Sequence, residues 1–92
     1  MAEARAVLTV LGVDRIGIVA AVTTALAEMQ VNIEDIRMAL LDDMFTMIAM
    51  VDVGGGLAPF GQIQTALQAV GDRLGVQVLL QREETFRAMQ RV

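Results

Sequence analysis

Two short segments of this chain gather the residue types that can hold a small polar ligand. Gly12-Val-Asp14-Arg15-Ile16-Gly17-Ile18 follows one apolar run, and Asn32-Ile33-Glu-Asp35-Ile36 opens the next. The first segment reads as a strand ending at Gly12, a short loop, and a helix with Asp14 as its N-cap candidate and Gly17 in its first turn. A helix start carries unpaired backbone N–H groups and a partial positive charge. A carboxylate can therefore be received near residues 14 to 18 without a cationic side chain. Asn32 offers both a donor and an acceptor where the helix gives way to the second strand. We expect the two segments to converge at one end of a sheet. Each residue also has a purely structural reading: Asp14 as a helix cap, Gly12 and Gly17 as close-packing positions, and Asn32 as a partner of local backbone groups.

Covalent chemistry is sharply restricted. The chain has no His, Cys, Ser, Lys, Tyr or Trp. Serine, cysteine and lysine nucleophiles are excluded, and no imidazole can act as a base near neutral pH. Thr9 and Thr46 fall in strand patterns and Thr23 and Thr24 in a helical one, with no side-chain amine or imidazole to activate them. The usual zinc and copper ligands are missing. The acidic pairs Asp42-Asp43 and Glu83-Glu84 could hold a hard cation, but they read first as a polar turn and a helix N-terminus. The expectation is a non-catalytic protein with no cofactor and no metal. The seven basic residues, all arginine, are scattered from Arg5 to Arg91 in a chain of net charge -4, which argues against direct nucleic-acid binding.

The elements that must position these residues follow from apolar spacing. Residues 5 to 12 are almost uniformly apolar and read as a strand. Residues 17 to 30 place Ile18, Val22, Leu26 and Met29 at helical spacing. A strand over 31 to 41 should turn at Asp42-Asp43 into another over 44 to 52, as a hairpin. Gly54-Gly55-Gly56 breaks the pattern, and Pro59 suits the first turn of a second helix. Phe60, Ile63, Leu67, Val70 and Leu74 form its apolar stripe, and Gly75 ends it. A last strand over 76 to 81 precedes a helical tail over 83 to 92. With right-handed crossovers this order predicts an α+β, ferredoxin-like βαββαβ sandwich. Its four-stranded antiparallel sheet has the order 2-3-1-4, with two helices on one face and a short C-terminal helix. Residues 1 to 92 then form a single domain with a core over about 5 to 82.

The string DRIGIVA followed by LAEMQVNIEDI, with the FTMIAMV strand beyond, resembles the ACT domain, a small regulatory module that binds amino acids. The resemblance covers roughly residues 5 to 82. It is nearest to free-standing single-domain bacterial members, and beyond them to glycine cleavage regulators and the N-terminal module of formyltetrahydrofolate deformylases. It implies a ligand at a subunit interface, between the loop of one copy and the Asn-bearing strand of its neighbour. The implied site comprises Gly12, Asp14, Arg15, Ile16, Gly17 and Ile18, with Asn32 and Ile33. Backbone groups of 14 to 18 would take the carboxylate, and Asn32 with Asp14 the ammonium or side chain. The chain departs from the family pattern twice: Met38 stands where relatives carry glutamine, and Gln30 where glycine leaves the helix.

Ninety-two residues, 55% of them hydrophobic, make one core-rich domain of high surface-to-volume ratio. In the 44 to 52 strand, Phe45, Met47, Ala49 and Val51 alternate with Met44, Ile48 and Met50, so both faces are apolar. An antiparallel sheet covered on one side should alternate with polar residues, so a homodimer or tetramer is expected. Methionines 44, 47 and 50 read as packing residues. No run suits a membrane span or a secretory signal, and a cytoplasmic setting is the default. Two other functions stay open. One is a protein-interaction module using the sheet edge or the tail Glu83 to Val92, in which Phe86 and Met89 share a helical face. The other is an indirect regulator of gene expression, by analogy with glycine cleavage repressors.

Overall fold

Four apolar runs pair into one antiparallel sheet in the computed structural model, which describes residues 4–13, 16–55 and 58–90. The elements are β1 (Arg5–Val13), α1 (Ile18–Glu28), β2 (Asn32–Leu41), β3 (Met44–Asp52), α2 (Phe60–Leu74), β4 (Gln77–Arg82) and α3 (Glu83–Gln90). The strand order is β2-β3-β1-β4, the ferredoxin-like arrangement expected from the sequence. Among the described residues, no helix is long and apolar enough to cross a membrane.

Alternation along the two central strands builds the core. Leu8 and Val10 of β1 and Met47, Ala49 and Val51 of β3 are buried beneath Ile18, Val22 and Leu26 of α1 and Ile63, Leu67 and Val70 of α2. The smallest molecular extent is 19 Å, which accommodates one sheet and one helix layer. The apolar stripes at helical spacing thus lie where their periodicity requires.

Both long helices end in the same hydrogen-bonded turn. In α1, Val31 donates its N–H to Leu26 and Gln30 donates to Ala27; in α2, Val76 donates to Gly71 and Gly75 to Asp72. This is the Schellman pattern, which places the residue after the cap in the left-handed region. Gly75 holds that position at φ 73, and Gln30 holds it at φ 57. The departure from glycine leaves the turn unchanged and puts a strained residue in it.

Strand β2 contains a feature that periodicity did not reveal. Its pairing with β3 shifts between Ile33 and Asp35, so Glu34 is the extra residue of a β-bulge. Ile33 and Ile36, three apart, would face opposite sides of a regular strand. With Glu34 bulged, they stand opposite Val51 and Ala49 and both pack on the core. Arg5 pairs with the bulged Glu34 at 3.0 Å. The hairpin beyond closes at Leu41 and Met44 through Asp42-Asp43, Asp42 taking a positive φ of 61.

The two sheet edges differ. On β4, the Leu80 carbonyl accepts a 2.8 Å bond from Gln64 Nε2, and Arg82 stacks 4.2 Å over the Phe60 ring. On β2, the longer edge strand, Met38, Leu40 and Leu41 are 53%, 59% and 79% exposed. The face of the sheet away from α1 and α2 is covered at one end by α3, and Val7 there is buried. Leu11, Met44 and Ile48 remain exposed on the rest of it.

Candidate functional site

Gly12 and Gly17, both expected at the site, are glycines for different reasons. A Cβ on Gly12 would stand 2.7 and 2.9 Å from the Val76 side chain, so the end of β1 passes too close to the α2–β4 turn for any side chain. A Cβ on Gly17 would meet nothing within 4 Å. There the demand is conformational, because Gly17 sits at φ 93. It is also the N-cap of α1, so the helix opens at Ile18, with Gly17 before its first turn rather than within it. Asp14 and Arg15 lie outside the described residues.

This start leaves donors without a side-chain cap. Ala21 donates to the Gly17 carbonyl at 2.9 Å, closing the first turn. Gly17 has no side chain to accept from the turn above it, and the first turn holds no acidic residue. The N–H groups of Ile18, Val19 and Ala20 therefore face the connection without a side-chain acceptor among the described residues. Ile18 itself is buried in the core and can offer a ligand only its backbone. Ile16, at 101% exposure, projects freely beside them.

The second segment is elsewhere. Asn32 stands opposite Asp52, which also faces Arg5, the first residue of β1; Gly12 stands opposite Phe45. From Asp52 to Phe45 is about 24 Å at the antiparallel rise of ~3.4 Å per residue. Within one chain the two segments thus occupy opposite ends of the sheet, contrary to the expected convergence. The cause is α1, which starts where β1 ends and carries the chain back along the sheet before β2 begins. Asn32 is exposed, and its side chain has no hydrogen bond to a described residue. Ile33 is half-buried against the core, and Asp35 is engaged locally, accepting from the Ile36 N–H at 2.9 Å and from Arg37 Nη1 at 2.6 Å.

Two concavities escaped sequence reasoning. One runs between α1 and α2, lined by small residues such as Ala21, Ala25 and Ala66 between Glu28 and Arg73. The other lies under α3 on the far face of the sheet, bounded by Val7, Ile48, Met50, Phe86, Arg37 and Arg87. The tail's spacing puts Phe86 and Met89 on one helical face, but no spacing in the sequence brings Phe86 across a cleft from Arg37 of β2.

Comparison with known proteins agrees with this architecture. A model of the ACT domain family matches residues 4–81. The UPF0237 protein of Methanopyrus kandleri is 47% identical over 88 residues, 96% of this chain and 98% of its own length. The solved ACT domain protein from Streptococcus pneumoniae is 35% identical, with a TM-score of 0.80 over 92% of this chain and 96% of that one. A formyltetrahydrofolate deformylase from Pseudomonas syringae, 17% identical, has the same fold at a TM-score of 0.80 over 89% of this chain and 28% of its own. A family match over nearly the whole length, on a fold that carries its glycine-capped helix start and its Asn-led strand, establishes that the chain belongs to the ACT domain family.

Proposed function

We propose that this domain is a non-catalytic sensor of an amino acid, acting as a cytoplasmic homo-oligomer whose ligand lies between two copies. One observation supports the reading: within one chain the two segments of the family signature stand at opposite ends of the sheet. Among the described residues the N–H groups of Ile18 to Ala20 have no side-chain acceptor and Asn32 has no side-chain partner, and the two are about 24 Å apart along one sheet, too far for an amino acid to bridge. Pairing through the exposed β2 edge would bring them closer. If β2 pairs antiparallel with its copy about a twofold axis, Asn32 comes opposite Leu41 of the partner subunit. Leu41 is two strands from Val13, since both face Met44, so the partner's Asn32, one strand farther, is three strand spacings or about 14 Å from Val13. The neighbour's Asn32 and Ile33 then approach the connection that holds Gly12, Asp14, Arg15, Ile16, Gly17 and Ile18.

In this arrangement the carboxylate is received by backbone donors at the start of α1, and Asn32 of the other copy contacts the ammonium or side chain. Ile16 gains cover from the neighbouring subunit. A ligand shared by two chains stabilises the pair over separate chains, so binding is coupled to assembly.

The test is a thermal-denaturation panel with each common amino acid at millimolar concentration, on the natural chain and on Asn32→Ala. A ligand at about 100 times its Kd adds about 2.7 kcal/mol, a shift of several degrees in so small a domain. A shift for one related group of amino acids, lost in the variant, supports the sensor. No shift with any amino acid transfers the function to the bare β2 edge as a protein-interaction surface.

A further inference from the structure

The cleft under α3 has the make-up of a second binding site, distinct from the one between subunits. Its volume is about 400 Å³, at the lower end of the ~300–1,000 Å³ typical of small-molecule sites. Val7, Ile48 and Met50 form its floor and Phe86 of α3 one wall, while Arg37 with Asp35 on β2 and Arg87 with Glu83 on α3 line opposite sides of it. Asn32 and the residues at the start of α1 do not line it.

Each guanidinium is oriented by a neighbouring carboxylate. Arg37 Nη1 lies 2.6 Å from Asp35, and Arg87 reaches Glu83 through Nε and Nη2 at 3.0 and 2.8 Å. The Arg37 and Arg87 side chains are 78% and 71% exposed, and ion pairs in such settings contribute little to stability. A guanidinium has five N–H donors, so both arginines keep donors for another acceptor after these bonds are made. A cleft with an apolar floor and one aromatic wall, whose two carboxylates are each paired to an arginine that keeps spare donors, suits an apolar body bearing a single carboxylate.

We infer that the cleft between α3 and strands β2 and β3 binds a medium-chain or aromatic monocarboxylic acid, its apolar body on Ile48, Met50 and Phe86 and its carboxylate between Arg37 and Arg87. Bound there, the acid ties the tail helix to the sheet.

The experiment titrates the full chain with octanoate, octanol and octylamine by calorimetry and by amide chemical-shift mapping. Saturable binding of one octanoate per chain is expected, with shifts centred on Ile48, Met50 and Phe86, and at least tenfold weaker binding of octanol and octylamine. Arg37→Gln with Arg87→Gln should weaken octanoate at least tenfold, and Ile48→Trp, at a 43% exposed position, should block the cleft. Thermal midpoints confirm that each variant is folded. Equal affinity for octanol, an unchanged affinity in the double arginine variant, or no saturable binding at millimolar octanoate would overturn the inference. Asn32→Ala should leave octanoate affinity intact; parallel loss of both ligands would make the two sites one and also overturn it. Failure of the amino-acid panel with octanoate still bound would reject only the intersubunit reading.

Discussion

Gln30 and Gly75 fill equivalent positions at the ends of the two long helices, with the same pair of hydrogen bonds around each. Only one of them is suited to a positive φ. A left-handed conformation costs a residue with a Cβ roughly 1–2 kcal/mol, partly offset by the greater unfolded-state freedom of glycine. Gln30→Gly should therefore raise stability by about 1 kcal/mol, read as a thermal midpoint several degrees higher. Gly12 makes the opposite case. Its added methyl would press on Val76 at 2.7 Å, and overpacking of this kind costs about 1–3 kcal/mol. Gly12→Ala should lower the unfolding free energy extrapolated from urea denaturation by that amount, and a neutral result would mean that the end of β1 can move away from the α2–β4 turn.

At the scale of the element, the bulge in β2 is the detail on which the Asn-bearing segment turns. Deleting Glu34 would bring Ile33 and Ile36 two apart, the spacing of a regular strand face, without moving the pairs on either side. The deletion should change stability by less than about 1 kcal/mol, since it removes one partly exposed ion pair with Arg5, measured by chemical denaturation. It should also straighten the start of β2 and weaken any response to amino acids that depends on the aim of Asn32. The seven elements were legible because their apolar spacings are long and regular, as in the Ile63, Leu67 and Val70 stripe. The bulge was not, since three-residue spacing of isoleucines in a short strand is equally a helical signature. Nor was the cap at Gly17, because Asp14 is the better N-cap by residue type and only the backbone path selects between them. The separation of Asn32 from Gly12 follows from the order of strands once a crossover helix lies between them, a tertiary fact that neither segment carries in its own residues.

For the whole molecule the decisive contrast is between its two sheet edges. Leu40→Lys, at an exposed position of β2, leaves the folded chain's own contacts nearly untouched and sets a charge into the edge, a device that opposes strand pairing. Light scattering at micromolar concentration should find a pair in the natural chain and single chains in the variant, each with its helices intact by circular dichroism. A natural chain that is already single at that concentration would end the shared-site reading. The opposite edge is short, and Gln64 holds its Leu80 carbonyl. Two copies joined through β2 would present the shorter β4 margin at each end, with its Leu80 carbonyl already engaged. In such a pair the side chain of one glutamine would oppose growth at that margin, favouring a closed pair over a fibre.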